Sequence, residues 1–269
     1  MDEPVVKRIQ LTRKNLALFD KMGKKKVTDS TYESGSTKNT STTMPGFAIK
    51  AYKNGMVLPL SSKTPTNLKA RRERGAESRG TASPTESEHG HYVDRVGNAS
   101  NKATIVFEVG RKLLKEYNDK GYTRAFNRVF TGFPKDVGFN NGLSAPQPDF
   151  VEGPRMEEFD RFPVDEYVSG AVLYKDDVRS VTLAHLAGEW KGCGKDMERA
   201  TLQGGFDGAA LVYARNQALS YLEKSDPPGH AEITTFTTDG TSLNFFHIIL
   251  LRQRTKRSNT TNILRRHTT

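Results

Sequence analysis

The chain has very little of what disulfide-rich and membrane proteins are made from. It contains one cysteine and one tryptophan in 269 residues, so no disulfide can form within it, and a single thiol is typical of a reducing compartment. Its longest run of aliphatic and aromatic residues, LNFFHIILL, is far too short to cross a bilayer. The first ten residues lack the apolar segment of a secretory signal peptide. We therefore expect an intracellular protein without membrane contact.

Hydrophobic residues are also scarce, at 35% of the chain, with a mean hydropathy of −0.64. This is too polar for the whole chain to pack into a core. Residues 1–100 are rich in serine, threonine, glycine and charge, which predicts a mostly disordered region with one short helix near residues 5–22. We expect a single folded domain over residues 101–251 and a basic tail over residues 252–269.

The net charge of +10 is unevenly distributed along the chain. Residues 1–100 carry 18 basic and 10 acidic side chains, residues 101–251 carry 17 and 21, and residues 252–269 carry 6 and none. Basic flanks attract nucleic acid through salt-sensitive, sequence-independent contacts, but they also simply keep a protein in solution. Short basic clusters at Lys24–Lys26, Lys69–Arg74 and Arg252–Arg257 are compatible with nuclear import, so nucleus and cytoplasm both remain open.

Periodicity and turn residues predict a mixed α/β fold for residues 101–251. Apolar residues at helical spacing predict helices over residues 101–117, 123–133 and 195–223. Alternating or continuous apolar runs predict strands at PDFVEG, at DEYVSGAVLY and at SVTLAHLAGEWKG, and a hairpin around Asp239-Gly240. The order helix, strands, helix, strand hairpin is typical of helices packed on a small mixed sheet.

One strand ends in two charged residues that share a face. Side chains alternate along a strand, so Glu189 and Lys191 lie on the same side, with Trp190 on the other. Taken alone, this triplet is typical of a solvated ion pair at a sheet edge. A second acid, Asp149, follows Pro148 at the start of another predicted strand. If the two strands pair, both carboxylates could hold one Mg²⁺ or Mn²⁺, with Lys191 beside the nucleophilic water.

This pattern resembles the PD-(D/E)xK nuclease superfamily. The segments PQPDFVEG, FPVDEYVSG, HLAGEWKGCGKDMERATLQGGFDGAALVYARNQAL and TFTTDGTSLNFF together resemble an uncharacterised fungal group of such domains, over residues 101–251 only. The resemblance implies a restriction-endonuclease-like core and phosphodiester hydrolysis in nucleic acid, with DNA favoured over RNA. It also implies specific roles: metal ligation by Asp149, Glu189 and the backbone carbonyl of Trp190, and catalysis by Lys191 with the helix residue Gln203.

Several alternatives remain open in the sequence. Asp149 and Glu189 are far apart in sequence for this superfamily, which implies an insertion around residues 155–170. Asp165 is a rival acid that lies closer to Glu189 in sequence. Glu108, in the leading helix, could add another acid. His185 falls on the predicted active face but is typical of a hydrogen-bonded core histidine, and Cys193 lacks a visible histidine partner for nucleophilic catalysis.

The function of the whole chain is open as well. Instead of an enzyme it could be an inactive nuclease fold that binds nucleic acid or a partner protein. It could also be a defective product whose domain is cut short after the last strand.

Overall fold

The structure is a computed structural model that describes residues 39–57, 63–76, 83–114, 120–159, 161–252 and 260–268. The helix predicted near residues 5–22 and the basic cluster at Lys24–Lys26 lie outside the described residues. The described part is a mixed α/β fold with one six-stranded sheet. Among the described residues, no helix is both long and apolar enough to span a membrane.

Helices and strands follow one another in an order that places the helices on both sides of the sheet. The helices are α1 (Phe47–Lys53), α2 (Leu68–Ala76), α3 (Glu86–Gly97), α4 (Lys102–Leu113), α5 (Val164–Tyr167) and α6 (Met197–Tyr221). The strands are β1 (Tyr122–Phe126), β2 (Phe150–Pro154), β3 (Leu186–Trp190), β4 (Ile233–Thr238), β5 (Leu243–Arg252) and β6 (Thr260–Thr268). A short 3-10 helix, Met156–Phe159, follows β2.

The strands lie in the sheet in their order along the chain. The first three form an antiparallel meander, β3 and β4 are parallel, and β4, β5 and β6 are again antiparallel. A parallel pair needs a crossover connection, and α6 supplies it between β3 and β4. Strands β3 and β4 thereby pack against the same helix.

Two hydrophobic clusters cover the two faces of the sheet. On one face, Val151 of β2 and Ala187 of β3 pack with Phe206 of α6. On the other face, Trp190 of β3 packs with Val109 of α4 and the side chain of Phe150. The alternation of side chains along β2 and β3 accounts for this division. The result is a helix–sheet–helix sandwich, with α6 alone against the central strands on one side.

Helix α6 runs for 25 residues without interruption, although glycine weakens a helix interior. Its start is capped by Asp196, whose side chain accepts a hydrogen bond from the Arg199 amide. A Cβ atom at Gly208 would lie 2.6 Å from the side chain of Ile248 on β5, and one at Gly204 would lie 3.6 Å from Thr237 on β4. The glycines therefore allow α6 to lie close against the sheet, and this packing stabilises the helix despite its glycines.

The main sequence predictions for the domain agree with this fold. The helices predicted over residues 101–117 and 195–223 are confirmed as α4 and α6, and the strand at PDFVEG is confirmed as β2. The apolar stretch around Glu189 is a strand, but only over Leu186–Trp190. The hairpin of β4 and β5 is confirmed, although its register joins Thr238 to Leu243 and leaves a four-residue loop rather than two residues.

Two predictions within the domain are wrong. The helix predicted over residues 123–133 is instead the end of β1 followed by a loop. Tyr122–Phe126 pairs along its whole length with β2, a long-range contact that overrides local helical spacing. The strand predicted at DEYVSGAVLY is instead α5, followed by an isolated bridge between Val172 and Thr182. A proline at residue 163 precedes α5, and proline is well suited to a helix start.

The regions outside residues 101–251 also differ from prediction. Three helices, α1 to α3, lie before residue 101, with Phe47 and Val96 fully buried in the two clusters. Helix α3 begins with a capping box in which Thr85 and Glu88 exchange hydrogen bonds. At the other end, β6 pairs with β5 across nine positions, where a basic tail without regular structure was expected. In both places, contacts to distant parts of the chain compensate for a polar local sequence.

Candidate functional site

The register of β2 and β3 places Asp149 opposite Glu189. Phe150 pairs with Gly188 in this antiparallel ladder, so the next position outward on each strand is Asp149 on one side and Glu189 on the other. Directly opposed residues project to the same face, with Cβ atoms about 5 Å apart. Asp149 Oδ2 also accepts a hydrogen bond from the Trp190 amide at 2.9 Å. Both carboxyl groups are buried, with 5% and 2% of the residue exposed.

Lys191 lies between Glu189 and the crossover helix. Its Nζ atom is 3.4 Å from Glu189 Oε2 and donates a hydrogen bond to Gln203 Oε1 at 2.5 Å. The Lys191 amide donates to the Thr238 carbonyl at 2.8 Å, which extends the ladder of β3 and β4 by one bond. The four side chains that the sequence selected, Asp149, Glu189, Lys191 and Gln203, are therefore in one continuous set of contacts.

Two residues of this cluster were missed in the sequence. Lys102, the first residue of α4, forms an ion pair with Asp149 Oδ1. Asp207 lies one turn after Gln203 on α6 and is 2% exposed. The spacing of Gln203 and Asp207 was a usable signal, because residues four apart share a helix face. Lys102 gave no local signal, since its partner is 47 positions away.

The carboxyl groups of Glu189 and Asp207 have strongly altered proton affinities. Burial, together with the charges of Asp207 and Asp149, raises the pKa of Glu189 well above its usual range. Burial and the charge of Asp149 raise the pKa of Asp207 to about 8, against the opposing hydrogen bond from Glu189. Both carboxyl groups therefore bind a proton more readily than ordinary surface acids do.

A short segment near the start of the described chain lies against this cluster. Gln203 Nε2 donates to Thr42 Oγ1 at 3.3 Å, and the Arg199 guanidinium donates to the carbonyl oxygens of Thr42 and Thr43. Gln203 thus accepts from Lys191 with its oxygen and donates to Thr42 with its nitrogen. These contacts fix the orientation of its amide, and they bring in residues far outside the predicted domain of residues 101–251.

The side chain of Trp190 is a core residue, as its alternation with Glu189 predicts. It is fully buried, with its ring 5.0 Å from that of Phe236 and 5.7 Å from that of Phe150, both nearly perpendicular. Its indole nitrogen has no hydrogen-bond partner. The prediction that its backbone carbonyl ligates a metal stays a prediction.

His185 does not share the face of Glu189, contrary to expectation. It precedes β3, and its Nε2 atom lies 3.7 Å from Glu152 Oε1. Burial lowers the pKa of His185, against the opposing charge of Glu152. Its ring also packs edge-on to Tyr122 at 5.8 Å. His185 therefore belongs to a separate cluster at the other end of β2.

The remaining candidate residues lie elsewhere. Asp165 is in α5, which packs near Ala218 of α6, eleven residues or about 16 Å along the helix from Asp207. Glu108 of α4 pairs with Arg95 at 3.8 Å. Cys193 is exposed after β3. The contacts of Asp165 and Glu108 thus favour Asp149 as the acid that partners Glu189.

The chemical character of the cluster fits a hard divalent cation. Its acids supply only carboxylate oxygens, which Mg²⁺ and Mn²⁺ prefer. Asp207 Oδ1 is buried and has no hydrogen-bond partner. Within the described ranges, however, no group of three or more His, Cys, Asp or Glu side chains is already arranged to hold a metal ion. The two acids on β2 and β3 are thus the minimal ligand pair that the geometry offers.

Comparison of the sequence with models of known protein families gave no match, and neither did comparison with curated proteins.

Proposed function

We propose that the protein is a metal-dependent nuclease-like enzyme that hydrolyses phosphodiester bonds in nucleic acid. The observation that carries this proposal is the opposed pair Asp149 and Glu189 on β2 and β3, with Lys191 beside it. The antiparallel meander, the crossover helix and the parallel strand β4 are compatible with a restriction-endonuclease-like core. Membership of the PD-(D/E)xK superfamily is part of the same proposal.

Each residue of the cluster has a distinct role in the proposed reaction. Asp149 and Glu189, with the Trp190 carbonyl, would hold Mg²⁺ or Mn²⁺. When bound, the cation would lower the pKa of a water molecule and neutralise charge on the phosphate. Lys191 orients the attacking water and stabilises charge as it develops on the phosphate. Gln203 positions Lys191, because its amide is fixed between Lys191 and Thr42.

The charge distribution supports a nucleic acid as the partner. Residues 1–100 carry a net charge of +8 and residues 252–269 one of +6, which adds salt-dependent affinity for a phosphate backbone. We favour DNA over RNA as the substrate. The same basic clusters are compatible with an intracellular protein that works in the nucleus, with the cytoplasm as the alternative.

The decisive test is cleavage by the Lys191→Ala variant of the full chain. Wild-type protein should cut DNA or RNA in Mg²⁺ or Mn²⁺, and loss of the lysine should reduce the rate by about 100-fold or more, since transition-state charge stabilisation is worth that much. The matched control is Lys195→Ala, because Lys195 is an exposed lysine in the same loop. Thermal unfolding of both variants should stay near wild type. Undiminished cleavage by Lys191→Ala would exclude the proposed site.

An inactive module that binds nucleic acid is the second candidate function. The observation in its favour is the net charge of −4 over residues 101–251, which does not favour a close approach of the phosphate backbone. In that case the full chain should bind DNA with a steep salt dependence and should show no cleavage at any Mg²⁺ or Mn²⁺ concentration. Cleavage by wild-type protein that Lys191→Ala removes would exclude this second candidate.

A further inference from the structure

Asp207 is an acid in a place where a purely structural role would be unfavourable. It is 2% exposed, and its Oδ1 atom has no hydrogen-bond partner. A buried polar atom without a partner costs free energy, and buried polar groups in folded proteins are almost always satisfied. An unsatisfied buried carboxylate oxygen in a cluster of acids therefore indicates a ligand that supplies the missing contact.

The position of Asp207 on α6 directs its carboxyl group between β2 and β3. On one side it hydrogen-bonds to the carboxyl group of Glu189, at the end of β3. On the other side it interacts with the backbone amide of Gln147 and the charge of Asp149, at the start of β2. Asp207 is thus close enough to interact with both strand acids, although the three carboxyl groups are not already arranged to hold an ion.

Among the described residues, the cation that acts on Asp207 is a lysine and not an arginine: Lys191, which also hydrogen-bonds to Gln203. Lys102 pairs instead with Asp149. Elsewhere in the sheet, the buried Glu152 is matched by Arg124 directly opposite in the β1–β2 register. A buried acid that is kept only for stability would be expected to have such a partner.

We propose that Asp207 is the third carboxylate ligand of the divalent-cation site, together with Asp149 and Glu189. This inference rests on the cation of the proposed function and extends it to a residue of the crossover helix. An all-carboxylate set selects Mg²⁺ or Mn²⁺ over Zn²⁺, which prefers cysteine and histidine. For all three acids to face one ion, the contact between Glu189 and Asp207 must open and Lys102 must leave Asp149.

The test is Mn²⁺ binding to the full chain, measured by titration calorimetry and by the loss of the free Mn²⁺ electron paramagnetic resonance signal. We expect Asp207→Asn to weaken Mn²⁺ binding by at least tenfold and to abolish the rise in melting temperature that Mn²⁺ causes in the wild type. The matched control is Asp226→Asn, since Asp226 is a partly exposed acid paired with Arg215, and it should bind Mn²⁺ as the wild type does. Should Asp207→Asn fail to fold, Asp207→Ser is measured in its place.

Two results would overturn this inference: wild-type Mn²⁺ affinity in the Asp207 variant, or no Mn²⁺ binding by the wild type. Failure of the proposed function is a different result. Binding that depends on Asp207, in a protein that cleaves no nucleic acid, would reject the nuclease and keep the cation site. Conversely, Mg²⁺-dependent cleavage with unchanged Mn²⁺ affinity in the Asp207 variant would keep the nuclease and reject the third ligand.

Discussion

The sheet buries two glutamates whose surroundings have opposite character. Glu152 of β2 and Glu189 of β3 are each 2% exposed. Glu152 lies opposite Arg124, with Arg124 Nε at 2.5 Å from its carboxylate and His185 at 3.7 Å. Glu189 instead faces the acids Asp149 and Asp207, whose charges outweigh those of the nearby cations Lys191 and Lys102. Burial alone therefore does not distinguish a site from a structural ion pair, whereas the sign of the neighbouring charges does.

The largest change in unfolding free energy is expected for Glu152, the glutamate in the structural ion pair. Glu152→Gln removes the charge of the buried carboxylate that pairs with Arg124 Nε, and breaking a buried ion pair costs about 3 kcal/mol of unfolding free energy. Urea denaturation at neutral pH measures it. The control is Glu157→Gln, which removes an exposed partner of Arg155. If Glu152→Gln loses less than about 1 kcal/mol of unfolding free energy, Glu152 is no more important for stability than a surface ion pair, and the contrast with Glu189 fails.

A smaller change in unfolding free energy, of opposite sign, is expected for a substitution of Glu189. Glu189→Gln keeps the shape of the side chain and removes a buried charge beside Asp149, at the expense of its contacts with Lys191 and Asp207. We expect the unfolding free energy to stay constant or to rise by about 1 kcal/mol, because a buried charge among like charges is costly. The same urea titration tests this expectation. A loss as large as that of Glu152→Gln would mean that Glu189 is also a structural residue.

The smallest change in unfolding free energy is expected for Asp226, whose more exposed ion pair serves as a reference for the two buried glutamates. Arg215 binds Asp226 through two hydrogen bonds, at 2.7 and 2.9 Å, and the hydrogen bond from its guanidinium lowers the pKa of Asp226. A depressed folded-state pKa gives stability that is present above the unfolded pKa, about 4, and lost as the pH falls through the folded value. Wild type should exceed Asp226→Asn by about 0.5 kcal/mol at pH 6.

This difference should shrink as the pH falls below about 4 and through the lowered folded-state pKa of Asp226. Urea denaturation across that pH range measures it. If the difference in unfolding free energy between the wild type and Asp226→Asn grows as the pH falls, the pKa of Asp226 is not lowered by Arg215.

The sequence was sufficient for the part of the site that depends on strand geometry. Alternation along one strand places Glu189 and Lys191 on one face, and a Pro-Asp pair at the start of another strand supplies Asp149. Gln203 was expected only because the sequence resembles the PD-(D/E)xK superfamily. Asp207 could have been found from the same helix face, but Lys102 could not, because only the fold brings the start of α4 to β2.

The fold was predictable where the apolar pattern is long and regular, as in α4, α6 and the β4–β5 hairpin. It was not predictable where distant contacts hold a polar segment. Helix α2 has one buried residue, Leu68, and is anchored through Arg71, which donates to the Ala231 carbonyl and to the Thr234 hydroxyl. Strand β1 similarly exists through its pairing with β2. No local window of sequence contains such information.

The glycines of α6 have a further consequence for the candidate site. Gly208 follows Asp207 directly, and a methyl group there would lie 2.6 Å from the Ile248 side chain, well inside van der Waals distance. The bare backbone at this point therefore sets how closely α6, and with it Asp207, approaches the sheet that carries Glu189. A side chain at residue 208 would push the helix outward and so separate the acid of the helix from the acids of the strands.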